Sequence, residues 1–185
     1  MARDNTVARA VHDLGLAAWF GGSLMGAIGL NGASKEVSDP KQRARVANAG
    51  WSKWTPANAA AIGSYLVGGA ILIVGNKERV VGQKGVASTS LAKVGLTALS
   101  LGATAYARAL GEKLISSGDV PVEDGTTPTS QTPEEVAKSQ KQLKILQWAI
   151  PAHVAALIAI SSKMGEQQRP SQVSEGLRKR LTPAA

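Results

Sequence analysis

The sequence predicts an all-α integral membrane protein, a four-helix bundle with a short interfacial helix in its first loop. Three observations predict it. Charge-free windows run from Leu14 to Ser34 (21 residues), Trp54 to Asn76 (23 residues) and Ile145 to Ser162 (18 residues). At ~1.5 Å rise per residue these make helices of roughly 27 to 34 Å, which matches a hydrocarbon core about 30 Å thick. The windows are also apolar all round, whereas helices of a soluble bundle would show a polar face every 3.6 residues. Finally, Lys and Arg flank them. A mean hydropathy of -0.02 hides this pattern because charges crowd into the connections. A fourth window, Val94 to Ala107, has only 14 residues. It spans if Lys93 and Arg108 at its ends extend their charges to the headgroups.

The expected spans are therefore about 8–33, 56–76, 90–111 and 144–163, in one membrane domain covering 1–164. The first is read as a retained helix, not a secretory leader: Asp13 interrupts its apolar start and no Ala-x-Ala site follows near Asn31. Asn5 or Thr6 can cap it. Asp39-Pro40 opens the short basic helix, which ends near Gly50 and is followed by Trp51 and Trp54, paired aromatics expected as interface anchors. Thr55-Pro56 supplies a capping hydroxyl and an N-terminal proline for the second span. Ser88, Thr89 and Ser90 can cap the third. The connection at about 112–131, rich in Gly, Pro, Thr and Ser, is expected to be a mobile loop. Thr132-Pro133-Glu134-Glu135 then starts a helical stem over 133–143, with acids suited to the positive helix end, and Pro151 lies inside the last span. A polar basic tail, 165–185, is expected to be partly disordered.

The chain has 30 Ala and 20 Gly, and small residues recur at four-residue spacing on every span. Ala18, Gly22 and Gly26 do so on the first span, and Ala60, Ser64 and Gly68 on the second. In lipid, where apolar burial does not drive helices together, such grooves let backbones approach. Even helix number puts both termini on one side. That side carries 11 Lys and Arg against 10 on the other, so the positive-inside rule discriminates little; the acidic third loop tips the assignment to cytoplasmic termini in a plasma membrane.

Chemistry is sparse. With no cysteine there is no disulfide, thiolate metal site or iron–sulfur cluster. No phosphate loop, dinucleotide fingerprint or nucleophile elbow is present, so no enzyme is expected. Only His12 and His153 could serve as axial haem ligands, and they sit at different depths, His12 near the terminal face and His153 about nine residues in. No cofactor, haem included, and no metal is expected. The candidate ligand-binding residues are His153, His12, Asp13 and Arg108. His153, near mid-span, is expected to be the one buried ionisable group, while Arg108 either meets an anionic group or simply reaches the headgroups. The net charge of +8 and the cluster Arg178-Lys179-Arg180 suit anionic lipid; with no aromatic platform beside the cluster, nucleic acid is not expected.

The run from His12 through Trp19 to Gly21 and Gly22, followed by Asn31, Gly32 and Ala33, resembles the opening helix of a family of small actinobacterial four-helix membrane proteins of unknown function. More distantly, a His followed by Trp-x-Gly-Gly resembles the copper-resistance-D-like membrane proteins. That resemblance implies a four-helix membrane bundle; copper handling is not carried over, since the chain has no Cys and three Met. The expectation is a non-enzymatic membrane protein, a structural or accessory subunit or a scaffold for lipid, for another membrane protein or for a second copy. The alternative is a small transporter or ligand-binding bundle centred on His153.

Overall fold

The computed structural model describes residues 5–77, 85–169, 171, 173 and 174. Four long helices run antiparallel to their sequence neighbours: α1 (Thr6–Met25), α2 (Pro40–Gly75), α3 (Val86–Ser116) and α4 (Glu134–Glu166). Each lies in a stretch long and apolar enough to cross a bilayer. The all-α four-helix class is therefore as the windows predicted. The cluster Arg178-Lys179-Arg180 and most of the expected tail lie outside the described residues.

α1 does not end at Met25. Gly26–Leu30 continue it as a π-helical turn, in which the Asn31 N–H reaches back five residues to the Gly26 carbonyl. A turn of α-helix, Asn31–Ala33, and a 3-10 turn, Ser34–Glu36, complete the rod.

α2 corrects the expectation of a separate interfacial helix. Asp39 caps it as expected, its carboxylate accepting from the Lys41 N–H at 3.0 Å, but the helix runs unbroken through Gly50 and Pro56 to Gly75. Pro56 lacks the N–H that would bond back to Ser52, and one missing bond bends a helix without ending it when packing holds both sides. Here the Thr55 hydroxyl donates back to the Trp51 carbonyl at 2.9 Å, so the residue expected to start a helix is used inside one. Downstream, α3 follows directly on Gly85, whose φ of 87° is readily available only to glycine. Ser88 and Thr89 then donate to its carbonyl from within the first turn.

The third connection is not a free loop either. α3 extends to Ser116, and residues 117–133 fold back as a plug against one end of the bundle, with Val122 fully buried. The Val122 N–H donates to the Pro40 carbonyl at 3.2 Å, and the Gly125 N–H to the Ser34 hydroxyl at 2.9 Å. The Gln140 amide donates to the Asp124 carbonyl at 3.1 Å. Composition suggested mobility; satisfied backbone groups hold the segment in place. α4 starts at Glu134, where Thr132-Pro133 placed it, and continues through a buried Pro151.

The helices are arranged in the order α2, α1, α4, α3, and α2 and α3 barely meet. The core consists of Leu16, Trp19, Tyr65, Ile150, Val154 and Leu157. Close approach of α1 to α2 uses Gly15, Gly22, Gly26 and Gly68: a Cβ at Gly22 would run into the Trp54 ring and one at Gly26 into the Trp51 ring. Ala18 and Ala60 face outward, exposed. Gly22→Leu is expected to lower thermal stability in detergent by ~1 to 3 kcal/mol through overpacking. The neighbouring Gly21→Leu, which faces open space, should melt with the parent; equal melting of both variants would contradict this packing.

Candidate ligand-binding cleft

Because α2 and α3 are held together mainly through α1 and α4, a seam remains between them, and it contains two cavities. The first, of about 730 Å³, lies toward the chain termini; the second, of about 340 Å³, lies toward the plug. Leu101 on α3 lines both. In the first, Leu66 and Ile73 of α2 and Val94 and Ala98 of α3 line the space while remaining exposed. The cavity is therefore a cleft that opens sideways between the helices.

Its polar end is built from three helices. His12 on α1 is 2% exposed. Its Nδ1 lies 2.7 Å from Asp13 Oδ1, and its Nε2 lies 2.8 Å from Lys93 Nζ on α3. A carboxylate only accepts and an ammonium only donates, so a neutral His12 carries its proton on Nδ1, donates to Asp13 and accepts from Lys93. Lys93 also lies 5.6 Å from the centroid of the Tyr65 ring. The Thr97 hydroxyl donates to the Lys93 carbonyl at 2.8 Å, which leaves it to accept from the Tyr65 hydroxyl at 2.6 Å. Arg9, one turn before His12 on α1, lines the same end and donates to the Gln168 side chain at 2.7 Å.

Lys93 corrects an expectation. Its place at the edge of a window predicts a side chain reaching the headgroups; instead it turns inward onto His12. Among the described residues, the buried His12 and the half-buried Lys93, not His153, thus form the ionisable pair of the cleft wall. His153 lines neither cavity; its Nδ1 is buried with no partner among the described residues.

The second cavity is lined by Asn48, Trp51, Trp54, Asn58, Thr104 and Arg108, among others. Arg108 pairs with Glu112 one turn on. The tryptophans, expected at the membrane interface, turn their rings inward over Gly26 and Gly22. Beside this cavity Asn31 is 5% exposed. Trp51 Nε1 donates to Asn31 Oδ1 at 2.9 Å, and Asn31 Nδ2 donates to Gln147 Oε1 on α4 at 2.9 Å. An indole N–H can only donate, which fixes the orientation of the amide. The node joins α1, α2 and α4 in the second half of the bundle.

Sequence reasoning singled out His12, Asp13 and Arg108 but missed Lys93, Tyr65 and Asn31 as members of these sites. The available signal was a polar side chain within an apolar window: Asn31 in the first and Tyr65 in the second. Among the described residues no group of three or more His, Asp or Glu side chains gathers as a metal site would need. No protein-family profile, curated protein or solved structure matches the chain.

Proposed function

We propose that the chain is a non-enzymatic membrane protein that holds a lipid-like amphiphile in the cleft between α2 and α3, acting as a lipid-binding scaffold or accessory subunit of the plasma membrane with cytoplasmic termini. One observation carries this reading: a sideways-opening, largely apolar cleft with its polar groups gathered at one end. Leu101 lies eight residues, about 12 Å, beyond Lys93 along α3. A molecule lying between them would have its head near one face of the membrane and its tail toward the midplane, as a leaflet lipid does. The competing transporter reading depends on His153, and neither cavity reaches that residue.

The test is native mass spectrometry of the full chain purified in mild detergent. A retained amphiphile is expected, and Ala98→Trp, which fills the cleft from an exposed position, should release it while the fold melts normally. A polypeptide retained in its place would favour the accessory-subunit reading. A bare chain would count against the cleft as a binding site.

A further inference from the structure

The half-buried Lys93 ammonium has no carboxylate within 4.0 Å among the described residues. Asp13, its nearest acid through the hydrogen-bond chain, touches only the far side of the His12 ring and is itself 57% exposed. An ammonium drawn into an apolar bundle without an anion beside it is costly, since desolvation is offset only by good pairing. Of its three protons one is taken by His12, leaving donors directed at the cleft. Among the described residues, the charged side chains lining the cleft are Arg9, Lys93 and Asp13, two cations and one anion, all at its polar end. With His12 neutral these three carry a net charge of +1.

We infer that the amphiphile taken by the cleft is anionic, its headgroup held by Lys93 and Arg9 and its acyl chain lying along Leu66, Val94 and Leu101. This rests on the lipid-binding reading of the cleft and adds the class of lipid. His12 and Asp13 act as positioning residues: the imidazole accepts from Lys93 and so aims the remaining ammonium protons, while Asp13 fixes the tautomer that allows this. Arg9, fixed by Gln168 on one nitrogen, keeps other guanidinium protons for a second oxygen of the same headgroup. The tail requirement identifies the source as the membrane and not a soluble anion, because most of the lining is apolar and continuous with the exposed faces of α2 and α3.

The experiment is competition between phosphatidylglycerol and phosphatidylcholine of identical acyl chains, offered in equal amounts to the full chain and read by native mass spectrometry. The wild type should retain the anionic lipid about tenfold or more over the zwitterionic one, the scale of one hydrogen bond between charged groups. Lys93→Met should bring the two lipids close to parity, and Lys93→Arg, which keeps the charge, should preserve the preference. Thermal melts check that both variants fold. Equal retention by the wild type, or a preference that survives Lys93→Met in a folded protein, overturns the inference while leaving lipid binding intact. Failure to retain either lipid removes the cleft reading as well. Excess inorganic phosphate should leave the bound lipid in place; displacement by phosphate would make this a soluble-anion site and overturn the assignment to lipid.

Discussion

Gly68→Ala is expected to be among the most damaging single-methyl substitutions in the bundle, lowering stability by about 3 kcal/mol in a detergent melt. A Cβ at this position would lie 2.6 Å from the Ala8 carbonyl oxygen and 2.7 Å from the His12 nitrogen. Both are backbone atoms within α1, so neither can rotate aside as a side-chain tip would. The conflict is relieved only by moving α1 away from α2, which loosens the packing of Leu16, Trp19 and Tyr65 behind it. Gly69→Ala is the internal control: its Cβ would meet only the His12 ring at 3.3 Å, so the loss should be clearly smaller. Equal melting of the two variants would show that the α1–α2 contact is not set by backbone approach. The effect at Gly68 also reaches the cleft, because His12 sits on the segment of α1 that would have to shift.

Asn31→Leu is expected to cost ~2 to 5 kcal/mol. It deletes both amide bonds at once, leaving the Trp51 indole N–H and the Gln147 carbonyl oxygen without their partner inside the bundle. Each abandoned buried group costs about 1 to 3 kcal/mol, and members of one network do not weaken independently. A leucine variant as stable as the parent would mean that the node is an ornament of apolar packing and holds nothing together.

The windows that announced four helices were legible because a bilayer imposes length and apolarity on every span, a constraint written in consecutive residues. The cap at Asp39 was legible for a similar reason, since its chemistry is confined to one turn; the start of α4 was legible from Pro133, although the Thr132 hydroxyl expected to cap it donates instead to the Pro121 carbonyl. Thr55-Pro56 misled because the same two residues start a helix or sit inside one depending on what grips the preceding turn. That grip comes from Asn31, 20 residues upstream of Trp51. Lys93 misled because a lysine at a window's edge points to water or inward according to its partner, and His12 is 81 residues away in sequence. The connection after α3 has the composition of a mobile segment, yet Ser34, Pro40 and Gln140, from three other elements, satisfy its backbone. In the small-residue pattern Gly22, Gly26 and Gly68 stand at helix contacts, whereas Ala18 and Ala60 lie outside. Four-residue spacing identifies a stripe, and which stripe faces a neighbour is decided by what lies opposite: the Trp54 and Trp51 rings at Gly22 and Gly26, and the α1 backbone at Gly68.

The wide turn at Gly26–Leu30 also governs which changes of chain length the protein can accept. An α-helix advances about 100° per residue, so adding or removing one residue rotates everything beyond it by that angle. The turn absorbs one residue more than an α-helical turn would, so the rod beyond it keeps its facing, with Asn31 against Trp51, the same ring that covers Gly26. It works as a phase corrector between two parts of one rod: Gly15, Gly22 and Gly26 keep the register of the α2 contact, and Asn31 and Ser34 keep that of the plug. Removing a single residue from this turn would leave a regular α-helix whose far end keeps close to its present facing, whereas removing one from the α-helical stretch between Gly15 and Gly26 would turn everything beyond it by about 100°. Removing one between His12 and Gly15 would leave these two registers intact but turn Ala8 and His12 by about 100°, away from Gly68 and Lys93.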